Sequence, residues 1–215
     1  MKRVLILVEG QTEERFANGI LSPYFASKRV VLKPVLIFTR KLSTGKRSKG
    51  GTIRYAEFKK QIQRLLGDSS AVCVSTLIDY YGLPEDFPGR SNASGITTQD
   101  KALSVENAIC KDIDTLKFKP HLSVHEHEAL LFSKPQILAD KLSVPLAKIE
   151  NIPRYATPEE INDSPTTSPS RRLKEIYPGY TKVVFGYEIA MAIGLDAMRG
   201  KCPHFNDWVT MLENI

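Results

Sequence analysis

Four carboxylates stand where chemistry could be done. Glu9 follows an aliphatic run at residues 4–8, Asp79 ends a second, mostly apolar run at 71–78, and Glu126 and Glu128 flank His127 after a short run at 122–125. Continuous aliphatic stretches of this length predict strands buried on both faces of a parallel sheet. In open parallel sheets, ligands bind outside the carboxyl ends of the strands. Acids at three such ends would therefore converge on one edge. Converging carboxylates repel, and they stay ionised together when a cation sits between them. All-oxygen ligation of this kind suits Mg²⁺ or Mn²⁺. Any single acid serves equally well as a cap for the helix that follows it; the coincidence at three strand ends is what points to a metal. An extended Glu126-His127-Glu128 would place both carboxylates on one side, whereas a helix already begun there would make them diverge and leave one as a ligand.

The elements that must position these acids follow from the pattern. Thr12 is the expected N-cap of a helix over residues 13–20, and residues 30–38 read as a second strand interrupted by Pro34. Residues 40–51 form a basic loop rich in Gly and Ser. Helical spacing covers 55–66, with Phe58, Ile62, Leu65 and Leu66 on one side, and further helices are expected at 101–113 and 129–142. Strand and helix alternate, which predicts an α/β fold with a mostly parallel sheet flanked by helices. After Ser143, six prolines (145, 153, 158, 165, 169 and 178) punctuate short helical pieces, an amphipathic helix lies near 187–198, and a last one starts at Asn206. The expected organisation is a core over 1–142 with a helical C-terminal extension over 143–215 packed on it, or the same elements as a single domain.

Composition narrows the function classes. A chain of 215 residues with 42% hydrophobic and 25% charged residues can bury a core, which excludes wholesale disorder. Three cysteines at unrelated spacings give no disulfide framework and fit a reducing cytoplasm. The apolar run after Arg3 stops at Glu9, too short for a signal peptide, and no stretch approaches the roughly 18 apolar residues of a membrane span. Thirty Lys and Arg against 24 Asp and Glu leave +6, which permits a polyanion partner. Candidate contacts to DNA or RNA are Arg40, Lys46, Arg47 and Lys49 in the basic loop, and Arg171, Arg172 and Lys182 in a second cluster interleaved with Tyr177 and Tyr180. The loop is no Walker A motif, because its first glycine would fall on Arg40, and no G-x-G-x-x-G turn follows the first strand. His125, His127, Cys202 and His204 match no standard zinc spacing.

Three runs together resemble a family: Leu5-Ile-Leu-Val-Glu9-Gly10-Gln-Thr-Glu13, then Leu77-Ile-Asp79-Tyr80-Tyr81-Gly82-Leu83-Pro84, then Val124-His-Glu126-His-Glu128-Ala-Leu-Leu-Phe132. The likeness extends to Pro158-Glu-Glu-Ile-Asn162, Pro169-Ser-Arg-Arg-Leu173 and Cys202-Pro-His-Phe205. The chain is similar to the TOPRIM-like domain of unknown function family 4276, itself similar to TOPRIM nucleases of ATPase-coupled phage-defence systems. The resemblance implies a TOPRIM-like fold and a Mg²⁺- or Mn²⁺-dependent nuclease. Glu9 would be general acid or base, Asp79 a metal ligand, and Glu126 and Glu128 would supply a ligand where Tyr81 replaces the usual second aspartate. It also implies an ATPase partner and leaves homo-oligomerisation open. The alternative is a catalytically silent subunit that uses the same scaffold to bind nucleic acid or protein.

Overall fold

The structure, a computed structural model, describes residues 1–41, 47–49, 53–151, 155–161 and 167–215, with the side chains of 39–41 and 47–49 outside that description. Its centre is strand β1 (Lys2–Val8), which pairs in parallel with β2 (Val30–Leu36) on one side and β5 (Ala71–Asp79) on the other. Val4, Ile6 and Val8 enter one hydrophobic cluster and Leu5 and Leu7 another. This two-sided burial is why the run reads as continuous and not alternating. Pro34 is tolerated because β2 is an edge strand, where a missing N–H costs no ladder bond.

Beyond β5 the sheet ends in a broken strand. β6 (Phe118–Lys119) pairs with Val74 and Ser75, and β7 (Leu122–Ser123) pairs with Ile78 and Asp79. Pro120 interrupts the ladder between them. Thr76 fills the break: its hydroxyl accepts from His121 N–H (2.8 Å) and donates to His121 C=O (2.7 Å). The predicted strand at 122–125 is therefore shorter than its apolar pattern, and β6 escaped detection because two residues carry no period.

The remaining elements pack on both faces. After β1 come α1 (Gln11–Phe16), a π turn (Ala17–Leu21) and α2 (Ser22–Ser27). The expected N-cap at Thr12 moves to Gly10, whose N–H is taken by the Glu13 carboxylate at 2.8 Å. The region expected as a basic loop contains a hairpin, β3 (Phe38–Lys41) with β4 (Arg47–Lys49); Lys46 lies outside the described residues. Helix α3 (Tyr55–Leu66) falls where predicted, and α4 (Thr98–Ile113) begins earlier than expected, at a Thr97/Asp100 capping box. The helix predicted over 129–142 is instead a 3-10 turn (His127–Ser133) followed by α5 (Pro135–Leu142). Pro135 forces Lys134 out of the helical region (φ −135°).

The C-terminal elements are α6 (Leu146–Glu150), a 3-10 turn (Pro158–Glu160), α7 (Pro169–Ile176), a π turn (Lys182–Gly186), α8 (Tyr187–Ile193), α9 (Leu195–Lys201) and α10 (Pro203–Glu213). The expected amphipathic helix near 187–198 breaks at Gly194, whose φ of +81° favours glycine, and the last helix starts at Pro203, a favoured N1 residue. Leu173, Ile189, Met198, Phe205 and Leu212 from these helices share one buried cluster with Val4, Ile6, Phe16 and Phe25. On the opposite face, Phe58 and Ile62 of α3 and Val105 and Ile109 of α4 cover Leu5, Leu7, Val74 and Ile78. The fold is thus α/β, a mostly parallel sheet flanked by helices. Among the described residues, no helix is long and apolar enough to cross a membrane.

Candidate active site

The carboxyl ends of β1, β5 and β7 lie side by side, and their acids stitch them together. Glu9 uses Oε2 to accept the Asp79 N–H at 3.0 Å, and Asp79 uses Oδ1 to accept the His127 N–H at 3.0 Å. Each acid thus grips the next segment through one oxygen. Among the described residues, the second oxygen of each has no hydrogen-bond donor. Glu128, on the 3-10 turn, is 1% exposed; its Oε2 meets Lys182 Nζ at 3.1 Å and its Oε1 is buried with no partner among the described residues. The sequence-predicted acids therefore come together at one edge of the sheet. The helical turn does begin at His127, yet Glu126 and Glu128 do not part company, because Lys182 on the π turn also reaches Glu126 Oε1 at 3.5 Å. Glu126 differs from the other acids in being spoken for. Ser170, in the first turn of α7, donates its N–H to Oε2 (2.8 Å) and its hydroxyl to Oε1 (2.9 Å).

Sequence reasoning missed Glu13 as a site residue. It is buried on α1, three residues beyond the Gly10 cap, and its local signal was no more than an acid in the first turn of the helix that follows Glu9. Burial, then the charges of Glu128 and Glu9, push its carboxyl up to about 7. Burial likewise raises Asp79 well above the ordinary carboxylate range, with Glu13, Glu9 and Glu128 adding to it. Glu9 and Glu128 rise for the same reason, against the pull of Lys182. Burial lowers Lys182, but Glu128, Glu126 and Asp79 outweigh it and hold the ammonium charged. One cation faces five carboxyls. A like-charge pair at 4 Å costs about 4 kcal/mol at an effective dielectric of 20, so Lys182 cannot hold all five ionised. Unsatisfied carboxylate oxygens around an uncompensated negative charge are the donor set that a hard divalent cation takes.

Other buried groups complete the surroundings. His127 packs its ring on Phe16 (centroids 4.2 Å apart, edge-to-face), and burial with Lys182 nearby lowers its pKa to about 3, so it is neutral. Its Nδ1 has no partner among the described residues. Tyr180 is 2% exposed, and its hydroxyl also lacks a partner among the described residues. Tyr80 is buried, with Arg90 over its ring at 4.3 Å and bonded to its hydroxyl at 2.9 Å, while Tyr81 is 40% exposed.

A second group could hold a metal ion. Glu106, His121 and His204 are all buried, with one ligand atom of each within 4.8 Å of the others. Of these, sequence reasoning had named His204 alone; Glu106 and His121 carry no local spacing signal. His204 Nε2 bonds Glu106 Oε1 at 2.9 Å, and that same oxygen accepts the Leu122 N–H at 2.7 Å. The His121 and His204 rings stack at 4.8 Å with 29° between planes, and a metal bound to both must lie near both ring planes, so ligation would require one ring to turn. Glu159 takes the N–H groups of His204 and Phe205 (3.0 and 2.9 Å), capping α10.

The residues expected to touch polyanion separate. Arg171 is exposed, whereas Arg172 is buried, bonding Thr167 C=O (2.7 Å) and the Tyr155 hydroxyl (2.9 Å). Lys182 is engaged by the two glutamates. Arg40, Arg47 and Lys49 stand on the β3–β4 hairpin, and their side chains lie outside the described residues.

Comparison with known proteins adds family and little else. Residues 8–213 match the family model described as "Domain of unknown function (DUF4276)". No curated protein matches the chain. Among solved structures, the chain is similar to the C-terminal region of the Xanthomonas campestris pv. campestris OLD protein, at 15% identity over 100% of this chain and 99% of that one, with a TM-score of 0.38.

Proposed function

The chain belongs to the DUF4276 family, a membership that brings no activity with it, and from the strand-end site we propose that it is a Mg²⁺- or Mn²⁺-dependent nuclease of TOPRIM type. The observation that carries this reading is the incomplete satisfaction of the buried Glu128 and the half-buried Glu9 and Asp79. Glu9 and Asp79 each spend one oxygen on backbone and keep one open, and Glu128 Oε1 is buried with nothing to bond. Asp79 and Glu128 would hold the cation through these oxygens, with Glu13 supplying further negative charge and the open oxygen of Glu9 left for proton transfer. Glu126, both oxygens taken by Ser170, would orient α7.

A bound divalent cation would neutralise phosphate charge and acidify a coordinated water. The chain's own part is to hold the acids in place. Glu9, held between β1 and α1 by its bond to Asp79 N–H, would accept the water's proton through its free oxygen. Lys182 would turn from Glu128 and Glu126 toward the phosphate. The β3–β4 hairpin with Lys46 and the exposed Arg171 would track the nucleic-acid backbone. An ATPase partner, a place in phage defence and a cytoplasmic setting, where three free cysteines persist, complete the proposal. A second reading is a silent binding subunit. It draws on Lys182 already pairing two of the acids and on Tyr81 standing where a further aspartate ligand is expected.

Glu9→Gln keeps shape and removes charge. With the partner present, it should lower Mg²⁺-dependent cleavage of DNA or RNA on the order of 10²–10⁴-fold without loss of folded protein. Full activity in both Glu9→Gln and Asp79→Asn would end the nuclease reading in favour of the binding subunit.

A further inference from the structure

Tyr180 presents a buried hydroxyl that the site as described does not use. Buried tyrosine hydroxyls nearly always find a hydrogen-bond partner, yet this one has none among the described residues. Its position is not slack. The Tyr180 N–H bonds Tyr177 C=O at 2.9 Å, and the ring packs beside Phe185 with centroids 6.3 Å apart. A Cβ placed on Gly186 would lie 3.1 Å from the hydroxyl oxygen, so the backbone at the end of the π turn presses against it. That π turn is the segment that begins with Lys182, and Lys182 bonds Glu128 Oε2. Tyr180 sits close enough to Glu128 and Glu126 to feel both charges without bonding either. Glu128 Oε1, on the same carboxylate, is likewise unpartnered. An unpaired hydroxyl donor and an unpaired carboxylate oxygen share one buried neighbourhood, and a small polar molecule on a cation would satisfy both.

We propose that Tyr180 is a positioning residue whose hydroxyl donates a hydrogen bond to a water molecule coordinated by the divalent cation at the Glu128 side of the site. The inference rests on the metal reading above and assigns a role to a residue outside the ligand set. Tyr180→Phe removes one oxygen and keeps the ring, so the packing against Phe185 survives.

The experiment is Mn²⁺ titration calorimetry and metal-free thermal melting on the wild-type chain, Tyr180→Phe and Asp79→Asn. Outer partners of metal ligands are worth on the order of 10-fold in affinity, so Tyr180→Phe should bind Mn²⁺ about 10-fold more weakly. Its metal-free Tm should be equal to or above that of the wild type, because it deletes an orphaned buried oxygen. Affinity within twofold of wild type would overturn the proposal, as would a fall in Tm with unchanged affinity, which marks a structural hydroxyl. The metal reading fails separately: the wild type would then bind no Mn²⁺, or Asp79→Asn would bind it undiminished, and either result removes the basis for Tyr180 as well.

Discussion

Two buried polar regions sit close to the same sheet and differ in one respect. Around Glu106, His204 and Glu159, each carboxylate has a donor: Leu122 N–H and His204 for Glu106, and the first N–H groups of α10 for Glu159. Burial works against the charge on His204, yet the hydrogen bond and charge of Glu106, joined by Glu159, outweigh it and raise the imidazole. Around Glu9, Glu13, Asp79 and Glu128 the opposite holds, with acids outnumbering cations and Glu128 Oε1, His127 Nδ1 and Tyr180 Oη unpartnered. Burial of charge is common to both regions and so separates nothing. Unspent bonding capacity separates them. The first region is closed on itself and supports the fold; the second, on the function proposed above, would receive a cation.

The sharpest break of this comparison is to remove one acid from each region. Asp79→Asn should lower Mg²⁺-dependent cleavage on the order of 10²–10⁴-fold in the partnered assay, and should raise the metal-free Tm by relieving repulsion. Glu106→Ala should do the reverse. Breaking the buried Glu106–His204 pair and leaving the Leu122 N–H without its acceptor costs about 3–5 kcal/mol in a urea unfolding curve, with Mn²⁺ affinity unchanged. A Glu106 variant that loses Mn²⁺ binding while keeping its stability would move the metal to the histidine cluster and reverse the assignment.

Proton linkage sharpens the contrast further. The Glu13 carboxyl titrates near 7 in the folded chain against 4.5 unfolded, and Glu9, Asp79 and Glu128 shift the same way. The folded state then binds more protons. The stability Glu13 provides is complete below about pH 4.5 and is lost as pH rises through about 7. Metal-free melting from pH 5 to 8 should therefore fall, by on the order of 3 kcal/mol from Glu13, and Mn²⁺ should raise Tm more at pH 8 than at pH 6. A flat metal-free profile would mean that the acids are already neutralised. The smallest effect is expected of Ser170→Ala, about 1.5 kcal/mol for a lost hydrogen bond to a charged acceptor. Its N–H still holds Glu126, so Mn²⁺ affinity should be unchanged in calorimetry.

Much of this organisation was legible along the chain. The apolar runs that became β1 and β5 could be read because burial on both faces keeps charge out of the strand centre, Ser75 and Thr76 being the buried polar exceptions, and the acid after each run could be placed because parallel strands end on one edge. Glu13 was less visible, since an acid in the first turn of a helix is ordinary dipole chemistry unless it is known to be buried. Local rules failed at the broken strand, where Thr76 substitutes for a ladder interrupted by Pro120, and at His127, where a 3-10 turn keeps two glutamates on one lysine.

The sequence by itself determined the α/β alternation, the strand cores and the three acidic strand ends, because these depend on period and burial along a few residues. Tertiary structure alone decided which acids keep free oxygens. Ser170, 44 residues from Glu126, claims that carboxylate, while Lys182, 54 residues from Glu128, leaves one oxygen of its partner open. Hydrogen-bond satisfaction depends on what the fold brings within about 3 Å, and no spacing along the chain encodes that.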